Sequence, residues 1–156
     1  MPAASDPAGR LTLPHTWRPL GPWIASAVAG GTLFAITSML WISFDDETRE
    51  SVTPFQRGTV VFLLGLLFAV LYALVRSKVQ AHPDRLVVVN GYRRHTYDWA
   101  EVVAVRFGTG APWVSLDLAD GTSAPAIGIQ ASDGLRAERA VAELRRILDS
   151  AHAPGD

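Results

Sequence analysis

Two stretches of the chain are apolar and free of charge: 24 residues from Gly21 to Phe44 and 18 from Gly58 to Val75. At the helical rise they reach roughly 36 Å and 27 Å, against a hydrocarbon core of about 30 Å. The pattern therefore predicts a transmembrane hairpin over 19–76, with helices at about 21–44 and 58–76 and a loop over 45–57. The second stretch (GTVVFLLGLLFAVLYALV) contains twelve Leu, Val or Phe residues and inserts on its own strength. The first is diluted by Ser26, Gly30, Gly31, Thr32, Thr37 and Ser38, so it needs a partner helix. Small residues recur at fours in both, Ala27, Gly31 and Ala35 against Gly65, Ala69 and Ala73. That spacing lets helix backbones approach closely in lipid. A cleaved signal peptide is a poor reading, because Trp17-Arg18-Pro19-Leu20-Gly21-Pro22 stands where an apolar stretch should precede the cleavage site.

From Ala81 onward the period changes. Arg85 to Val89 is a β-rich run, and Asn90-Gly91 signals a tight hairpin into Tyr92 to Tyr97. Val102 to Phe107 and Trp113 to Leu118 alternate apolar and polar positions, and Asp120-Gly121 turns the chain into Thr122 to Ile129. Five short antiparallel strands are expected. Leu135, Ala137, Ala140, Val141, Leu144, Ile147 and Leu148 then recur at threes and fours, with Ser132 or Asp133 as the cap of an amphipathic helix. Such a helix needs an apolar surface to cover, so it closes one end or face of the curved sheet. The chain is thus read as α+β, with a folded domain over 81–150, a short tail over 151–156 and a disordered cytoplasmic tail over 1–18.

Charge sets the orientation. Arg10 and Arg18 before the hairpin and Arg76, Lys78, Arg85, Arg93 and Arg94 after it outnumber Arg49 and Arg57 in the loop. The positive-inside rule then places both termini in the cytoplasm of a multi-pass cell-membrane protein. Trp17, Trp23 and Trp41, with Arg76 and Lys78, are expected as membrane-interface anchors. Composition narrows the chemistry. Hydrophobic residues make up 49% and charged residues 19%, which excludes disorder as the general state. A net charge of -1 gives no cationic field for nucleic acid, and the absence of cysteine excludes disulfides, thiolate metal sites and cysteine nucleophiles.

Tyr97-Asp98-Trp99-Ala100-Glu101-Val102-Val103-Ala104-Val105-Arg106-Phe107, then Ala111-Pro112-Trp113-Val114-Ser115-Leu116-Asp117-Leu118 and Asp120-Gly121, follow two membrane helices. In this order they resemble the actinobacterial membrane-anchored PH domain-containing proteins, including the group called low molecular weight protein antigen six. The similarity covers roughly Leu20 to Leu148. Arginine outnumbers lysine by 13 to 1, in keeping with a GC-rich genome of that kind. The resemblance implies a two-helix transmembrane hairpin followed by a PH-like antiparallel β split barrel capped by a C-terminal α-helix. It brings no catalytic motif. It also implies seven strands before the helix, of which only five are legible.

No catalytic, cofactor-binding or metal constellation emerges. His15, His82, His95 and His152 occur singly, Gly108-Thr109-Gly110 lacks the third glycine of a dinucleotide loop, and Ser115 has no flanking elbow glycines. The expectation is a non-enzymatic membrane protein without cofactors, whose PH-like module binds a protein or peptide partner, membrane or cytoplasmic, near Arg106 and Trp113. Sensing of anionic lipid headgroups by Arg93, Arg94 and the juxtamembrane basic residues Arg76, Lys78 and Arg85 is the alternative, although Arg93 and Arg94, as neighbouring strand residues, point to opposite faces and cannot share a pocket. A role as an accessory subunit of a membrane transporter is the third reading. Membrane lipids are expected as neighbours of such a chain, and a homo-oligomer is left open.

Overall fold

A strand pairs where extended, apolar residues find a partner, and two such partners lie on either side of the apolar helices. The computed structural model describes residues 12–153. Strand β1 (His15–Trp17) precedes helix α1 (Leu20–Ser43), a short helix α2 (Asp46–Ser51) and helix α3 (Pro54–Arg76). Strands β2 (Lys78–Ala81), β3 (Arg85–Asn90) and β4 (Arg93–Asp98) follow, then β5 (Val102–Arg106), β6 (Trp113–Leu118), β7 (Ser123–Gln130) and helix α4 (Leu135–His152). One sheet has the order β1-β2-β3-β4 and the other β5-β6-β7, antiparallel throughout. The fold is α+β: two apolar helices, two antiparallel sheets and a closing helix.

Trp17 stands opposite Val79 in the β1–β2 ladder. Everything from Arg18 to Ser77, both long helices included, is therefore an insertion into what would otherwise be a β-hairpin. This corrects the sequence reading in three places. Among the described residues seven strands form rather than five; the missing two have three and four residues, too short for periodicity to reveal. Part of the expected disordered tail is strand β1, and the folded domain begins before residue 81, while the portion of that tail before residue 12 lies outside the described residues. Trp17 is no interface anchor: it is 8% exposed, sits in the core, and its indole N–H donates to Glu143 at 3.0 Å.

The sheets close on each other where β7 meets β2 and β3. A Cβ on Gly128 would lie 2.5 Å from the carbonyl carbon of Lys78, so only glycine permits this approach. Asn90 clips the same seam, its amide donating to the Pro125 carbonyl at 2.6 Å and its oxygen accepting from the Ile127 N–H at 3.0 Å. The Asn-Gly signal locates this hairpin correctly but not its turn. The turn residues are Gly91 and Tyr92, with Gly91 at φ +59, which leaves Asn90 in the strand and free to join the sheets.

Alternation along the strands aims Val79, Ala81, Leu86, Val88, Val102, Val105, Val114, Leu116 and Ile129 into one core, and α4 covers it with Ala137, Ala140, Val141, Leu144, Ile147 and Leu148. Leu135 does not join them and is 70% exposed. The cap also differs from expectation: Gly134, at φ +54, starts α4, and no side chain caps it. Asp133 instead accepts the N–H groups of Leu20 at 3.0 Å and Gly21 at 2.6 Å, capping α1 from across the molecule. At its other end α4 continues to His152, through residues read from the sequence as tail.

Helices α1 and α3 are long and apolar enough to cross a membrane, and they pack against each other. Gly30 lies against Phe68 and Leu71 of α3, and it and Ser26 are the buried residues of α1. Gly31 and Gly65, members of the expected small-residue stripes, meet nothing. The loop is more ordered than its composition suggests. Asp45 caps α2, Thr53 and Gln56 form a capping box on α3, and Arg49 donates to the Trp41 and Ile42 carbonyls that end α1.

Candidate functional site

The β3–β4 register decides how the basic residues are displayed. Arg93 pairs with Asn90 and Arg94 with Val89, and Val89 pairs in turn with Lys78. Arg94 and Lys78 thus share the outer face of the sheet, while Arg93 lies on the opposite face. The two adjacent arginines form no common pocket. Arg76 ends α3 as an exposed residue, and Trp23 and Trp41 are exposed near opposite ends of α1. Trp41 also carries the Arg57 guanidinium 5.3 Å from its ring centroid.

Arg106 and Trp113 do share a face. Arg106 stands opposite Ser115, and Trp113, Ser115 and Asp117 alternate on that side of β6. The Arg106 guanidinium is paired with Asp117, which also accepts from the Ser123 hydroxyl at 3.1 Å, and Trp113 is 41% exposed. Asp120, at the rim, is held below the ordinary carboxylate range by the Thr122 hydroxyl and N–H. The charges here satisfy one another.

The β4 strand is different. Five of its six residues, Arg93, Arg94, His95, Thr96 and Asp98, are exposed, and among the described residues only β3 pairs with it. The outer N–H positions alternate through Arg94, Thr96 and Asp98. That of Asp98 is taken by Glu101 at 2.8 Å, leaving those of Arg94 and Thr96 at the open edge. Next along, burial and then the Glu101 charge push the Tyr97 phenol up from its ordinary pKa. The β5 edge is less open, since Arg145 donates twice to the Val105 carbonyl, at 3.0 and 2.9 Å.

Sequence reasoning missed the residues that join the domain to the helices. Besides Asp133, Tyr92 reaches α3 and donates to the Ala69 carbonyl at 2.7 Å, and the Gly91 N–H donates to the Ser77 hydroxyl at 3.0 Å. A tyrosine after Asn-Gly reads as an ordinary turn residue, so no local signal marks it. Among the described residues, no group of three or more His, Asp or Glu is placed to hold a metal ion.

Residues 76–147 match a family described as Bacterial PH domain. Uncharacterized proteins of Mycobacterium tuberculosis and Mycobacterium bovis are 32% identical to this chain over 154 residues, covering 95% of it and 94% of theirs. No solved structure matches. With two sheets of four and three strands closed by a C-terminal helix, in the order such a domain requires, the chain belongs to the bacterial PH domain family.

Proposed function

We propose that this chain is a non-enzymatic, multi-pass protein of the cell membrane that holds its PH domain on the cytoplasmic surface, where the open edge of β4 recruits a protein or peptide by strand addition. The observation that carries the reading is the β4 edge itself: it is exposed along nearly its whole length and paired on one side only. Its two arginines guard the edge against indiscriminate pairing and favour an acidic partner. Arg106 is already matched by Asp117, so the contact surface passes from the Arg106 and Trp113 face to β4. A photo-crosslinking residue at Thr96 in intact cells should yield one discrete adduct, and Arg94→Pro, which removes an outward N–H without touching the β3 ladder, should abolish it. Adducts that persist with Arg94→Pro would remove strand addition from the account.

The orientation rests on the arginine and lysine excess at the domain end of the hairpin. It is supported by the local employment of both loop arginines, Arg49 on the end of α1 and Arg57 on the Val52 and Arg49 carbonyls. Cysteine at Thr48 should react with an impermeant maleimide in intact cells, whereas cysteine at Ser123 should react only after lysis. The reverse pattern would invert the topology.

A further inference from the structure

The two ends of the open β4 edge have different surroundings. At the Arg93 end the preceding turn is tied to α3: the Gly91 N–H donates to Ser77, Gly91 lies against Ala73, and the Tyr92 hydroxyl donates to the Ala69 carbonyl. Ala69 lies about 10 Å along α3 from its last residue, Arg76. The Tyr92 ring is 6.3 Å from that of Tyr72, and both residues are more than half exposed. Exposed tyrosines side by side near the end of a long apolar helix mark a bilayer boundary. With the hairpin in the membrane, β4 therefore starts at that boundary and extends roughly 17 Å from the turn.

An added strand runs about 5 Å outside β4. A chain paired to the outward N–H of Arg94 has its next residues beside Tyr92 and the last turns of α3, where water gives way to an apolar medium. Extended backbone cannot continue there, because its N–H and C=O groups would lack partners, whereas a helix can. Charge sets the register. Arg94 and Asp98 share one face of β4 with Thr96 between them, and neither is ion-paired among the described residues. An acidic residue opposite Arg94 and a basic residue opposite Asp98 complement that face.

We propose that the partner at β4 is itself an integral membrane protein, which pairs through a cytoplasmic segment directly adjoining its membrane helix and sets an acidic residue opposite Arg94. The inference rests on the strand-addition reading of β4 and adds the class of protein that binds. The test places a photo-crosslinking residue in the full chain at Thr96, and separately at Asp98, in intact cells, and locates the joined residues by peptide mass spectrometry. The Thr96 adduct should map within about ten residues of a membrane span, and the Asp98 adduct about two residues farther from it. Arg94→Glu, which keeps the backbone N–H and reverses the charge, should lower the Thr96 adduct yield about fivefold, and reversal of the opposing acidic residue to arginine should restore it.

A Thr96 adduct on a protein without a membrane span, at a site farther than about ten residues from one, or on a second copy of this chain would overturn the proposal and leave strand addition standing. So would the reverse order of the Thr96 and Asp98 sites, or an undiminished yield with Arg94→Glu. Absence of any adduct, like adducts that persist with Arg94→Pro, would remove strand addition and this proposal together.

Discussion

The hairpin and the PH domain are built from similar apolar residues and place them oppositely. In α3 no residue is buried, and in α1 only Ser26 and Gly30 are. In the domain, Leu86, Val102, Val114, Leu116 and Leu144 are completely removed from solvent. The difference is one of solvent. The domain provides its own apolar phase, whereas the helices, long and apolar enough to cross a membrane, leave their side chains unburied by the chain. Where the two regions meet, Asp133 bonds the start of α1, Tyr92 bonds the Ala69 carbonyl with its ring 6.3 Å from that of Tyr72, and Gly91 bonds Ser77 and lies against Ala73. The domain is docked on the hairpin and does not depend on it for a core.

The largest expected effect lies inside the domain. Leu144→Asp puts a carboxylate into a position with no exposure, and should lower stability by about 3–5 kcal/mol in urea unfolding of the PH signal. Arg145→Asp, on the neighbouring position, is not silent, because it removes two donors to the Val105 carbonyl at the β5 edge and should cost about 1–2 kcal/mol. Arg146→Asp is exposed, has no such partner, and should stay within about 0.5 kcal/mol. Equal midpoints for all three would mean that α4 does not pack through this face.

A smaller effect sharpens the boundary between the regions. Asp133→Ala removes the cap of α1 and should cost about 1 kcal/mol in the full chain. The same substitution should have almost no effect once the hairpin is deleted, since its partners Leu20 and Gly21 are then gone. A comparable loss in both forms would show that Asp133 serves the domain itself.

What was legible in the sequence follows the same division. The long helices announce themselves by length and absence of charge, β3 by its β-rich run, β5 and β6 by alternation, and β4 and β7 by the Asn-Gly and Asp-Gly turns before them, so the hairpin and most of the barrel could be read directly. Strand β1 could not, because His-Thr-Trp carries no periodicity and its partner Lys78–Ala81 lies beyond two helices. Trp17 was misread for the same reason: a tryptophan beside an apolar helix looks like an interface residue until its strand is known. Asp133 stands where a cap for α4 is expected, and only the fold shows that it serves α1. Arg93 and Arg94 were correctly separated by strand alternation, while the exposed β4 edge required the order of the sheets.

The central claim is that one PH fold is interrupted by a hairpin of two long apolar helices between its first two strands. Replacing residues 18–77 by a four-residue turn joins β1 to β2, whose residues Trp17 and Val79 already face each other in the ladder. The resulting chain should be soluble without detergent, show mixed β and helical circular dichroism, and unfold in one cooperative transition in which Trp17 changes environment. An aggregated product, or one that is compact without a cooperative transition, would contradict the claim and show that the domain needs the hairpin to fold.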